Sequence, residues 1–202
     1  MADERLKKQI RFICEADKSK NIFRQTKIHD GSRCENDAEH AWHMALMAFL
    51  LGEYSKCGID MLKVIKMCII HDLVEIDAGD TFCYDAAGNR DNLERETRAA
   101  DRIFGLLPED QGRELRSLWE EFDAMETPEA KYAAALDRVQ PVLLNLLNKG
   151  GTWQEHGISR DQVISRNRPI EDGAPKLWEF ISELIDNAVE KGYLSPGGSM
   201  SL

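Results

Sequence analysis

Met67-Cys68-Ile69-Ile70-His71-Asp72-Leu73-Val74-Glu75-Ile76-Asp77-Ala78-Gly79-Asp80 is an apolar run that ends abruptly in a histidine, three carboxylates and a Gly-Asp. From Leu62 onward the apolar residues are too dense for a helix with one solvent face, so the spacing predicts a helix through the core that delivers His71 and Asp72 to an interior cleft. Glu75 follows His71 by four residues and Asp72 by three, which places all three polar heads on one side of a helix. An isolated His-Asp pair is ordinarily just a helix end making hydrogen bonds. Here its company changes the reading: Glu75, Asp80, the upstream histidines His40 and His43, and Asp137 set in an apolar helix downstream.

Working outward, Asn36-Asp37-Ala38-Glu39 has the form of a capping box, with Asn36 as N-cap and Glu39 three residues on. The helix it opens is expected to run to about Lys56, with His40 and His43 in its first turns. Their spacing of three does not match the H-E-x-x-H zinc motif. His43, followed by apolar residues, is assigned to the core, and His40 to the site. Asp60 caps the helix that carries His71, and the polar loop from Gly79 to Asn92 reads as a substrate collar. Further helices are expected over Asn92 to Leu106, Glu109 to Phe122 and Pro128 to Asn148, with Thr127-Pro128 as cap and first residue. In the last of these, Ala133, Ala134, Ala135, Leu136 and Val139 surround Asp137, and Pro141 predicts a kink. A carboxylate in such surroundings needs a neutralising partner. Arg138 is one candidate; a bound cation is the other, and it would account for the His-Asp pair as well.

The ends of the chain carry less chemistry. An amphipathic helix is expected from about Asp3 to Ser19, with Leu6, Ile10, Ile13 and Cys14 on a packing stripe. Between Lys18 and Arg33 the chain turns basic: Lys18, Lys20, Arg24, Lys27 and Arg33 face only Asp30, which reads either as a solvated loop or as a phosphate clamp. Trp153 to His156 read as a polar connector, helices are expected near Ser159 to Asn167 and Pro175 to Lys191, and no useful strand runs or Gly-rich phosphate loop are found. The expected architecture is all-α, one domain over residues 1–192 with a disordered tail at 193–202.

The chain has 202 residues and a formal net charge of -10, which argues against a nucleic-acid polymer or an anionic membrane surface as partner. No apolar stretch reaches the ~18 residues a bilayer span requires, and the charged N-terminus lacks the apolar core of a signal peptide. A cytoplasmic protein is expected. Five cysteines without a C-x-x-C pair read as reduced, mostly buried thiols. Two histidines and two aspartates form a borderline-hard donor set suited to a divalent transition ion with positions left open, and Glu75 is placed to move a proton beside it.

His40, then His71-Asp72, then Asp137 resemble the H…HD…D ligand set of the HD-domain phosphohydrolases. Arg33-Cys34-Glu35-Asn36-Asp37-Ala38-Glu39-His40 and the stretch His71 to Asp80 are similar to the two signature blocks of the branch that contains the bacterial 5′-deoxynucleotidases. The resemblance spans roughly Arg11 to Lys191. It implies an HD-domain helical bundle with a metal site in its core cleft, one divalent ion (Co, Mn, Zn, Ni, Fe or Mg) on His40, His71, Asp72 and Asp137, and often a homodimer. It further implies that Glu75 serves catalysis, that Asp80 contacts the substrate sugar, and that Arg24, or else Arg33, orients the phosphate of a nucleoside 5′-monophosphate. The chain departs from the family where a tryptophan should follow that arginine: Gln25 and Thr26 follow Arg24. Two other readings stay open at this stage, a catalytically silent metal- and ligand-binding module and a hydrolase of a non-nucleotide phosphorylated metabolite.

Overall fold

The structure, a computed structural model, describes residues 3–85, 88 and 90–197. Its helices are α1 (Glu4–Ala16), α2 (Asp37–Leu50), α3 (Met61–Ile70), α4 (Glu75–Ala78), α5 (Asn92–Phe104), α6 (Glu109–Ala124), α7 (Pro128–Leu147), α8 (Gly151–Glu155), α9 (Arg160–Asn167), α10 (Ile170–Gly173) and α11 (Pro175–Glu190). The centre is α7, whose alanine-rich first half lets neighbouring backbones approach closely. Buried residues stud it from Ala130 to Asn145, and α2, α3, α6 and α10 pack around it. Against α10 the approach is so close that a Cβ on Gly173 would collide with the Lys131 carbonyl. Tyr132, fully buried, donates its hydroxyl to the Ala48 carbonyl at 3.0 Å and so ties α7 to the end of α2.

The predicted helix starts are present. The Asn36 side chain accepts from Glu39 N at 3.0 Å while Glu39 Oε2 accepts from Asn36 N at 3.3 Å, Asp60 accepts from Lys63 N, and Thr127 accepts from Ala130 N. α2 ends at Leu50, earlier than expected, and a short 3-10 turn, Gly52–Tyr54, follows. α7 runs unbroken through Pro141.

Four expectations give way. A two-stranded antiparallel hairpin, β1 (Phe23–Lys27) and β2 (Cys34–Asn36), occupies part of the basic segment. Asn148 fastens it to the end of α7 by donating to the Ile28 carbonyl at 2.9 Å. The stripe on α1 is not a packing face: Leu6, Ile10 and Ile13 are exposed, and the helix is held instead by Phe12 and Ala16 against the core and by polar contacts, Arg5 bidentate to Asp110 at 2.8 Å and Gln9 to Gln111 at 2.8 Å. Of the cysteines only Cys68 is buried. The chain past Gly192 is packed where it is described: Leu194 is buried and Arg160 N donates to the Ser195 carbonyl at 2.8 Å. The rest of the expected tail, 198–202, and residues 86, 87 and 89 of the collar loop lie outside the described residues. Among the described residues no helix is long and apolar enough to cross a membrane.

Candidate metal and substrate site

α3 stops being an α-helix where its apolar run stops. The next four residues, His71–Val74, tighten into a 3-10 turn, which turns His71 and Asp72 together towards α7. The His71 Nδ1–H donates to the Cys68 carbonyl at 3.0 Å, leaving Nε2 to face the cleft, buried and without a hydrogen bond. His40, in the second turn of α2 and fully buried, is fixed the same way. Its Nδ1 lies 3.1 Å from Gln140 Oε1, and Gln140 Nε2 in turn donates to Glu35 Oε1 at 2.6 Å. Anchoring one ring nitrogen through a partner presents the other as a ligand in a set direction.

Four atoms converge from these elements. His40 Nε2 is 3.1 Å from Asp137 Oδ1 and 3.9 Å from Asp72 Oδ2; His71 Nε2 is 3.1 Å from Asp72 Oδ2 and 3.8 Å from Asp137 Oδ1. Donors about 2.1 Å from one cation are separated from their neighbours by about 3.0–3.4 Å; His40, His71 and Asp72 bring ligand atoms within 4.8 Å of one another, and Asp137, close to both histidines but outside that group, has to move towards Asp72 to share a divalent ion. The donor set, with its orphaned buried ring nitrogen, fits the ion expected from the sequence. Without such an ion the two pairs lean on each other electrostatically. Burial lowers the His71 pKa, but Asp72 and Asp137 outweigh it and push it up to about 10. Burial raises the Asp137 pKa, yet contacts from His40 and His71 hold it well below the usual range.

A second carboxylate group adjoins the first. Asp37, Asp72 and Glu75 bring oxygens within 4.8 Å of one another, an arrangement able to hold a hard cation or a shared proton. Both Asp37 oxygens and Glu75 Oε2 are buried without a donor. Burial raises the Asp37 pKa to about 7, with Asp72 adding to the effect and Arg24 opposing it; Glu75 is pushed well above its usual value by burial and then by Asp72 and Asp37. Arg24, from β1, reaches into this group with Nη1 2.6 Å from Asp72 and 3.7 Å from Asp37. Its burial would favour loss of the proton, but Asp72, Asp137, Glu75 and Asp80 more than offset that.

These groups open on a cavity of about 260 Å³. Arg24, Asp72, Glu75, Asp80 and Asp137 all line it, with Thr81 to Tyr84 of the collar loop on one side and Trp153 of α8 on another. Arg33 does not line it. That guanidinium is exposed and bidentate to Glu39 at 2.8 and 2.6 Å. Arg138 is not the partner of Asp137 either, since it donates to the Ala134 carbonyl and the Met125 sulfur. His43 is half-buried and accepts from Gln140 Nε2 at 3.2 Å, so it supports the relay behind His40 and is not simply packed in the core.

Sequence reasoning missed Asp37, Glu35 and Gln140. Asp37 sits where an acidic residue at a helix N-terminus needs no further explanation. Glu35 and Gln140 are 105 residues apart in the chain, and no local pattern links them.

Known proteins resemble this arrangement over most of its length. The 5′-deoxynucleotidase HDDC2 of Mus musculus is 31% identical over 155 residues, which is 74% of this chain and 72% of that protein. The human HDDC2 is 31% identical over 154 residues, 75% of this chain and 72% of that protein. A solved structure described as a predicted metal-dependent phosphohydrolase, from Magnetospirillum magnetotacticum MS-1, superposes with a TM-score of 0.92 at 51% identity, covering 95% of this chain and 96% of that one. The family model described as HD domain matches residues 16–178. With the histidines, the His-Asp turn and the distant aspartate meeting at one point beneath that match, the chain belongs to the HD-domain family.

Proposed function

We propose that this chain is a divalent-metal-dependent phosphomonoesterase acting on nucleoside 5′-monophosphates, deoxynucleotides included. The observation that carries the reading is that one cavity is lined by Asp72 and Asp137 of the donor cluster together with a buried arginine, Arg24, and two further carboxyl groups, Glu75 and Asp80. The deoxynucleotidase relatives and the phosphohydrolase neighbour support the same reaction class.

In this reading His40, His71, Asp72 and Asp137 hold the ion. A bound divalent ion there supplies Lewis acidity, offsetting phosphoryl charge and lowering the pKa of water. Arg24 turns its planar fork from Asp72 to two oxygens of the incoming phosphate, a geometry that suits guanidinium better than ammonium. Water attacks phosphorus as the ester P–O bond breaks, and Glu75, whose buried position beside Asp37 and Asp72 favours the protonated form, gives its proton to the departing ester oxygen, so the products are the nucleoside alcohol and inorganic phosphate. Asp80 accepts a hydrogen bond from a sugar hydroxyl. A cytoplasmic homodimer belongs to the same proposal; the exposed apolar side chains of α1 supply surface for it, and light scattering reads the mass.

Phosphate release from a nucleotide panel, with cobalt or manganese and again with chelator, tests the reading. Glu75→Gln should lower kcat by about 10²–10⁴ while metal content stays at the wild-type level. A wild type as inactive as Glu75→Gln on every substrate would leave a silent binding module instead.

A further inference from the structure

Six arginines of the described residues are buried or half-buried: Arg24, Arg95, Arg116, Arg138, Arg160 and Arg166. Four of them face a carboxylate: Arg24 meets Asp72, Arg95 meets Asp91, Arg116 meets Asp101, and Arg160 meets Asp186. Arg138 and Arg166 have no carboxylate oxygen within 4.0 Å among the described residues, although acidic groups outnumber basic ones 36 to 26 in the chain. Both of them line the cavity onto which Asp72 and Asp137 open.

Arg138 on α7 and Arg166 on α9 stand on the wall of this one cavity, and the two helices that carry them pack against each other. Arg138 is 8% exposed, with Nη1 on the Ala134 carbonyl, Nη2 on the Met125 sulfur and Nε buried without a partner. Arg166, on α9, is less enclosed and stands beside Cys83 and Tyr84 of the collar loop, between the main cavity and an outer groove. Asp161 shares that groove, but its nearest cation is Arg160 at 3.8 Å. Burying a positive charge with no carboxylate in contact is costly, and a second such charge on the same cavity wall adds to it. The free protein bears that cost at a place where an anionic ligand would remove it.

We propose that Arg166, backed by the field of Arg138, is a second anion-binding corner of this cleft, and that the preferred substrate is a phosphomonoester carrying a second phosphate. Resting on the proposed hydrolase reading, it keeps that reaction and takes the preferred substrate to be a nucleotide with a further phosphate, a nucleoside bisphosphate, with one phosphate at Arg24 and the other at Arg166. Asp80 and Glu96, which also line the cavity, disfavour the second phosphate elsewhere along its walls and leave the sugar hydroxyls to the middle.

Equilibrium binding to the manganese-loaded Glu75→Gln protein, in which turnover is suppressed, tests this directly. The probes are deoxyadenosine 5′-monophosphate, deoxyadenosine 3′,5′-bisphosphate and adenosine 2′,5′-bisphosphate. One of the bisphosphates should bind at least about tenfold tighter than the monophosphate, as expected for one added charge-assisted contact. Adding R166Q should abolish most of that preference, and R166K, which keeps the charge but not the fork, should retain part of it. Equal binding of all three probes, or a preference that survives R166Q, overturns the proposal. Because the readout is a ratio of affinities, it decides the matter even if wild-type protein releases phosphate from none of the probes, a result that would count against the hydrolase reading alone.

Discussion

At the scale of single residues, the proposed site depends on side chains that never touch a substrate. His40 can present Nε2 only while Nδ1 is held, and the hold is a relay of Gln140 and Glu35, with Gln140 Oε1 at 3.1 Å and Glu35 Oε2 at 3.6 Å from that nitrogen. Gln140→Leu keeps much of the side-chain volume and removes the acceptor. It should lower metal affinity about 10–100-fold, measured by chelator competition, with the fold intact by circular dichroism; unchanged affinity would mean that packing alone orients the ring. The metal-ligand candidates were legible in sequence because His71-Asp72 and Asp137 each interrupt an apolar pattern. Asp37 and Gln140 were not, because a helix start and a polar position in a long helix look ordinary until a distant element covers them. Arg33 shows the opposite failure. The basic segment contains several cations, and only β1, a strand too short and too charged to show a period of two, selects Arg24 for the cleft.

Among the elements, helix starts were readable and short connectors were not. Asn36, Asp60 and Thr127 announce their helices through side-chain chemistry that acts within three residues. The hairpin, α8 and α10 are held by contacts from elsewhere, such as Asn148 on the Ile28 carbonyl. α10 is the clearest case: a four-residue helix persists because Gly173 lets its backbone lie directly on that of α7. Gly173→Ala should therefore destabilise the protein by about 1–3 kcal/mol through overpacking, read as a shift in the urea midpoint. An unchanged midpoint would show that α10 yields without cost. The same spacing sets the position of α7, and so of Asp137, which means that this variant should weaken metal binding as well.

Across the whole molecule, the four candidate ligands come from three separate places, α2, the turn after α3, and α7. A cation there would cross-link elements that otherwise meet through side-chain packing and a few hydrogen bonds, such as Tyr132 to the Ala48 carbonyl. Any ligand bound by the folded chain alone stabilises it by mass action, by about 2.7 kcal/mol at a hundredfold excess over Kd, which for a chain of this size amounts to about 5–10 °C in Tm. Manganese or cobalt should give such a rise in wild type, chelator should reverse it, and Asp137→Asn should abolish it; an equal rise in Asp137→Asn would place the ion elsewhere. The central claim is that His40, His71, Asp72 and Asp137 share one ion beside Arg24. Anomalous diffraction at the cobalt edge from metal-loaded crystals tests it most directly. The account predicts a single strong peak within about 2.3 Å of His40 Nε2, His71 Nε2 and one oxygen each of Asp72 and Asp137, and a peak on any other set of side chains, or none after loading, would contradict it.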